Sequence, residues 1–225
     1  MASANRAPEA SMLRLSRYHC FVGEMLHSDD VELVTSREMS EQLGVAEETV
    51  RRDLSYVEVE GRPGSGYDTV LLYEALESYL GLSESYPFVA IGTPQMLEAL
   101  AVIFPAAEFG LRPVAYYSVR DEDSGTRVDD IEIRSLADLP SIDPALGVSV
   151  ALVACEPAWV DQVLVLLDAA GIRSVLMLTP TLKTQHPEGV DVSYIRIPCA
   201  MKALVASAPR PDKCCAGGQC TAHGA

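Results

Sequence analysis

Thr35-Ser-Arg-Glu-Met-Ser-Glu-Gln-Leu-Gly-Val-Ala-Glu-Glu-Thr-Val-Arg-Arg-Asp-Leu-Ser-Tyr56 reads as two short helices joined by a tight turn. Thr35 stands where it caps the first helix, and Glu38, three residues on, answers it in a capping box. Gly44 gives the turn its backbone freedom. Beyond it Val50, Leu54 and Val57 recur at i, i+4 and i+7 and are expected to face a core. The same period turns Glu48, Arg51, Arg52 and Ser55 outward, the face by which the second helix of such a pair meets bases and phosphates in the major groove. A plain helical hairpin carries the same stripe and glycine.

The next segment favours DNA. Residues 61–67, Gly-Arg-Pro-Gly-Ser-Gly-Tyr, predict a glycine-rich hairpin tip with one cation, where a winged helix-turn-helix places its wing. Glycines let a backbone approach a groove, and Arg62 would enter the negative potential there. An ordinary surface loop is the competing reading.

At 225 residues the chain has room for about two domains. Its hydrophobic fraction of 48% is that of a globular protein. No apolar run approaches the ~20 residues that span a bilayer, and residues 1–10 lack the apolar stretch of a secretory signal. The expectation is a cytoplasmic protein with no membrane partner. The formal charge of -15 opposes indiscriminate attraction to phosphates, since such binding rests on cations that displace counterions. Arg51, Arg52 and Arg62 then act as local basic contacts on an acidic body. Ala46 cannot cap the second helix as Ser or Thr would, although Glu47 and Glu48 complement the positive end of its dipole.

After residue 82 the pattern changes. Apolar runs at 87–91, 113–117, 148–154, 174–177 and 191–195 alternate with helical stretches at 95–107 and 158–170. In the later helix Val160, Val163, Leu164 and Leu167 mark the buried stripe, and Gly171 closes it. Such alternation predicts a parallel sheet covered on both faces, and a Rossmann-like domain. The fold class is therefore α/β, with an N-terminal winged helix-turn-helix over 1–82, a Rossmann-like parallel-sheet domain over 83–198, and a C-terminal helix with a Cys-rich tail over 199–225.

Over residues 12–204 the chain resembles the bacterial Rex family of redox-sensing repressors, which join a winged helix to a Rossmann domain. The likeness is carried by Arg51-Arg-Asp-Leu-Ser-Tyr56, the wing at 61–67, Gly92 after the first strand, Ala170-Gly-Ile172, Pro180, and Pro187-Glu-Gly189. Residues 45–54 are also similar to DeoR-type regulators, whose sugar-phosphate sensor domain fits the later chain less well. The Rex resemblance implies a homodimer that exchanges a C-terminal helix, binds a double-stranded DNA operator, and leaves it when NADH replaces NAD⁺. It implies that Arg51, Arg52, Ser55 and Tyr56, with Thr49 beside them, sit at the major groove, and that Arg62 enters the minor groove.

The cofactor fingerprint departs from that family. Where Gly-x-Gly-x-x-Gly is expected, the chain reads Gly92-Thr-Pro94-Gln-Met-Leu97. Thr93 and Pro94 make a good helix start, an N-cap followed by proline at the first helical position, rather than a phosphate cradle. The acid that grips the adenosine ribose aligns with Ser118, and the following acidic position with Arg120. Serine plus arginine would suit a 2′-phosphate. An aspartate near the last strand aligns with Arg196. NAD(H), implied by the resemblance, is thus disfavoured by the residues, although Gly92, Thr93, Pro94, Ser118 and Arg120 remain the candidate contacts. The pattern is that of a diverged paralogue.

Six cysteines complete the inventory. Cys20 and Cys155 are expected as small core or boundary residues. Cys214, Cys215 and Cys220 lie within seven residues around two glycines, beside Lys213, and such thiols select soft ions. They resemble the trithiolate sites of arsenite-binding repressors. A metal, a metalloid or an iron–sulfur cluster are the ligands to consider, with His223 or Cys199 as a fourth donor; an unstructured tail with adventitious thiols is the alternative. His19 and His27 are expected at the surface, and His186 lies in a loop. No catalytic constellation stands out, and the chain is not read as an enzyme. The leading reading is a dimeric, sequence-specific transcriptional regulator, probed by redox state, a soft metal or a ligand of the altered cleft; the alternatives are an ordinary NAD(H)-binding sensor and a nucleotide-binding protein with a vestigial helix-turn-helix.

Overall fold

The capping box forms as its residues dictate. The Glu38 N–H donates to Thr35 Oγ1 at 3.1 Å, and the Thr35 N–H donates to Glu38 Oε2 at 2.7 Å. The computed structural model describes residues 7–27, 31–62, 64–82, 84–179 and 186–208. Its first unit runs through α1 (Glu9–His27), β1 (Leu33–Val34), α2 (Ser36–Leu43), α3 (Glu47–Leu54), β2 (Tyr67–Asp68) and α4 (Thr69–Leu80). Gly44 ends α2 in the left-handed region at φ 64°. The Asp68 carboxylate caps α4, accepting from the Leu71 N–H at 3.1 Å. β1 and β2 pair antiparallel, so the segment after α3 is tied back to the strand before α2. The core of this unit holds Leu15, Tyr18, Val22, Met39, Val50, Leu54, Val57, Leu72 and Leu76.

One charged side chain lies inside that core. Asp53, on α3, is fully buried and accepts from Arg14 Nε at 2.5 Å, Arg14 Nη2 at 2.9 Å and Tyr18 Oη at 3.0 Å. Burial alone would raise its carboxyl. The hydrogen bonds from Arg14, Ser11 and Tyr18 outweigh that and hold it below the usual aspartate value. The Tyr18 phenol is pushed up to about 12 by its own burial and by Asp53.

Two expectations of burial or exposure fail on α1. His19 is buried, because this face of α1 packs on α4 and the imidazole stacks on the Tyr73 ring at 4.4 Å between centroids. Desolvation lowers its pKa, with Glu77 opposing. Cys20, one residue along the helix, turns outward and is exposed rather than part of the core or its boundary.

The second unit runs through β3 (Tyr86–Gly92), α5 (Pro94–Ile103), β4 (Leu111–Ser118), β5 (Arg127–Val128), β6 (Ile131–Ser135), β7 (Val150–Ala154), α6 (Val160–Ala169), β8 (Ser174–Met177), β9 (Asp191–Tyr194) and α7 (Ile197–Ser207). The sheet order is β5-β6-β4-β3-β7-β8-β9, parallel throughout except for the β5–β6 hairpin. From β6 to β9 this is the doubly wound order, and its switch point lies between β3 and β7. Alternate residues of β3 serve opposite faces. Phe88 and Ala90 meet Leu97 of α5, whereas Val89 and Ile91 meet Val163, Leu164 and Leu167 of α6. The Gly171 N–H donates to the Asp168 carbonyl at 2.9 Å, with Gly171 at φ 76°, closing α6 as its sequence predicts.

Helical cover is thinner than simple alternation predicts. The stretch expected over 95–107 stops at Ile103, because Pro105 cannot continue the helix, and a 3-10 turn follows at Ala106–Phe109. Between β6 and β7 the cover is two 3-10 segments, Leu136–Ser141 and Pro144–Leu146. Pro140 and Pro144 break what would otherwise be one helix, yet Leu136, Leu139 and Ile142 still reach the core. Among the described residues no helix is long and apolar enough to cross a membrane.

Asp53→Ala is expected to lower the stability of the first unit by about 3 kcal/mol, since it strands a guanidinium beside a closed core. Urea titration followed by circular dichroism measures it. Because the folded carboxyl lies below its unfolded value, the Asp53 contribution is complete above about pH 4 and fades as pH falls through the folded value, so the mutant's deficit should shrink in acid.

Candidate nucleic-acid interface and nucleotide cleft

With Asp53 held inside, the opposite face of α3 has one way to point. Glu48, Arg51, Arg52 and Ser55 are exposed, and Thr49 and Tyr56 are half-buried at its margins. Arg51 pairs with Glu47 one turn back, and its Nε lies 3.3 Å from Ser36 Oγ. Glu47 also accepts from Ser36 Oγ at 3.0 Å, so the uncapped start of α3 is bound to α2 by side chains. The Ser55 hydroxyl donates to the Arg52 carbonyl at 2.6 Å, which leaves its oxygen free to accept.

The wing closes where the Arg62 N–H donates to the Gly66 carbonyl at 2.7 Å, with Gly64 and Gly66 at φ 78° and 95°. A Cβ on Gly66 would stand 2.4 Å from the Val34 carbonyl oxygen, so the close passage over β1 demands glycine. Between wing and helices runs a groove of about 480 Å³ that brings together Thr35, Ser36, Arg37, Arg51 and Arg62. Arg37 was not among the sequence candidates. Its place in the first turn of α2, beside α3, was the available signal.

The second site is the carboxyl edge of the sheet. Thr93 Oγ1 accepts from the Met96 N–H at 3.4 Å and Pro94 opens α5, as a helix start requires. Leu97 is buried against Gly92, and a Cβ on Gly92 would meet the Ala154 carbonyl at 3.2 Å. Ser118 is buried at the end of β4, donating to Asp123 at 2.5 Å while accepting from the Arg120 N–H at 3.1 Å. The Arg120 guanidinium reaches Glu156, past the end of β7, in an ion pair. That hydrogen bond raises Arg120; Glu156 is held low by its backbone hydrogen bond and by Arg120. Thr93, Gln95, Met96, Cys155 and Thr179 join the pair around a cleft of about 400 Å³. The Cys155 thiol is buried and pushed up to about 11 by desolvation, so it stays protonated and unreactive at neutral pH. Thr179 Oγ1 donates to the Cys155 carbonyl at 2.7 Å.

Residues 6–55 match a family described as "Putative DNA-binding protein N-terminus". The redox-sensing transcriptional repressor Rex of Streptomyces griseus is 32% identical over 88% of this chain and 77% of its own length. Its counterpart from Streptomyces avermitilis is 31% identical over 97% of this chain and 84% of its own. The chain belongs to the Rex family.

A Rex-family repressor of known structure, RSP, in complex with β-NAD⁺ and operator DNA, superposes with a TM-score of 0.76 at 23% identity, covering 90% of this chain and 92% of that one. RSP in complex with β-NADH gives 0.75 at 22%, covering 90% and 94%. The fold is therefore that of Rex, and the relatives' names are those of repressors, not enzymes. Of the candidate residues of this Rex-family chain, the structure gathers Arg51 and Arg62 at one groove and Thr93 and Arg120 at one cleft. Cys199 is exposed on α7; Cys214, Cys215, Cys220, Lys213 and His223 lie outside the described residues, as does Pro180. Among the described residues no cluster of three or more His, Cys, Asp or Glu is arranged for a metal.

Gly66→Ala is expected to push the wing off β1 and destabilise the first unit by about 1 kcal/mol or more. Amide exchange at the Arg62–Gly66 bridge, measured by NMR, should accelerate.

Proposed function

We propose that this chain is a cytoplasmic, homodimeric, sequence-specific repressor that places α3 in the major groove of an operator and Arg62 in the neighbouring minor groove. The observation that carries the reading is the groove shared by α2, α3 and the wing, whose outward side chains include Arg37, Arg51 and Arg62 while Asp53 anchors the helix from behind. Thr49, Arg52, Ser55 and Tyr56 extend the contact face. A net charge of -15 makes random phosphate binding weak and leaves affinity to the fitted site.

Dimerisation is supported by α7. Ile197, Met201, Leu204 and Val205, at i, i+4, i+7 and i+8, are each more than half exposed. An apolar stripe of this kind marks a contact surface, and a second copy of the chain would present the matching partner. The signal enters through the cysteines, of which Cys199 lies on α7, or through the altered cleft; a thiolate-bound metal, metalloid or cluster would draw on Cys214, Cys215 and Cys220. The reading as an ordinary NAD(H) sensor is favoured by the intact doubly wound order and by the β-NADH complex of RSP.

The test is selection of an operator from a random DNA pool, followed by titration at several salt concentrations. Arg52→Ala and Arg62→Ala are each expected to weaken binding, with the slope of log affinity against log salt reduced by about 1 for each lost phosphate contact. A wild-type protein that enriches no sequence defeats the reading. In light scattering, Met201→Glu with Leu204→Glu is expected to give a monomer whose operator affinity falls at least tenfold.

A further inference from the structure

The Rossmann cleft carries a feature that the operator reading does not use. β4 and β7 both pair with β3, one on each side. Their ends therefore stand two strand spacings apart, about 9–10 Å. Arg120 lies two residues beyond β4 and Glu156 two beyond β7, so their ion pair passes over the end of β3, above Gly92 and Thr93. In a doubly wound sheet this is where a dinucleotide lays its diphosphate, against the first helix N-terminus.

We propose that the Arg120–Glu156 pair is an internal latch in the diphosphate's place, closing this cleft to pyridine dinucleotides and uncoupling the chain from the NADH/NAD⁺ ratio. The residues beneath the latch fit the same conclusion. Pro94 offers no N–H to an incoming phosphate, and its ring is buried in the start of α5. The buried Leu97 packs on Gly92, at the position where the fingerprint's last glycine would stand. Ser118 supplies no acid for a ribose, since its hydroxyl is committed to Asp123, and it holds the Arg120 backbone in line with Glu156. The inference deepens the repressor reading and rests on it only for the DNA readout.

Calorimetry of the full chain with NADH, NAD⁺ and NADPH, without DNA, is the direct test, so that failure of operator binding cannot obscure the answer. Wild type is expected to show no saturable binding below roughly 1 mM, and its operator affinity, measured separately, to stay unchanged on adding NADH. Glu156→Gln with Pro94→Gly should gain at least tenfold in NADH affinity, with folding checked by circular dichroism. Glu156→Gln alone, a nearly isosteric change at a half-buried side chain, is the companion if the double variant does not fold, and should gain less. Micromolar binding of NAD(H) to wild type overturns the proposal. Binding of NADPH alone overturns it as well, because Arg120 would then have left Glu156 for a 2′-phosphate. No gain in any folded variant shows that the latch is not what excludes the dinucleotide.

Discussion

A buried carboxylate fixes everything at the amino-terminal end. Asp53 sits in the core of a small helical unit and is tolerated there because the Arg14 guanidinium and the Tyr18 hydroxyl meet it at 2.5–3.0 Å. The ion pair joins α1 to α3 across 39 residues of sequence. Dispersion among Val50, Leu54 and Leu72 would hold α3 against the core in several rotations, since apolar contacts have little direction. A forked arginine on a carboxylate has one geometry. It fixes the rotation of α3 and so the face that carries Arg51, Arg52 and Ser55.

The two units handle charge in opposite ways. In the first, one ion pair is drawn inward, while Arg37 and Arg51 on the outer face hold exposed one-turn pairs with Glu41 and Glu47. In the second, Arg120 is consumed by Glu156 at the sheet edge, in a position where both side chains keep contact with water. The first pair is costly to break because its carboxylate is fully buried, although the Arg14 side chain stays 22% exposed, and the second is weak as a stabiliser. Its effect is one of occupancy: it fills space and orients two side chains above the end of β3.

Local features were legible in the sequence wherever a single segment decides them. The Thr35–Glu38 box, the turn at Gly44, the hairpin at 61–67 and the end of α6 at Gly171 each depend on residues within a few positions of one another. Five strands of the sheet were legible as apolar runs, but β6, where Ile131 and Ile133 alternate with Glu132 and Arg134, and its partner β5 were not read. What escaped was long-range or subtractive. Nothing near Asp53 announces that Arg14 will meet it, and His19 becomes interior only because Tyr73 on a distant helix stacks upon it. The loss of helical cover between β6 and β7 follows from Pro140 and Pro144, which periodicity alone does not weigh. At the cleft, the substitutions Pro94, Leu97 and Ser118 could be read from the fingerprint, but the partnership of Arg120 with Glu156 required the adjacency of β3 with both β4 and β7.

The carboxyl-terminal helix has a thermodynamic corollary. α7 is 11 residues long and buries none of them in its own subunit. A segment of that length gains too little from its own backbone hydrogen bonds to stay wound in water. Its order must be borrowed from whatever covers it, which makes the helical state of this segment a function of how crowded the chain is with its binding surface. Under the proposed dimerisation, dilution alone, with no ligand and no change of sequence, is then enough to unwind it.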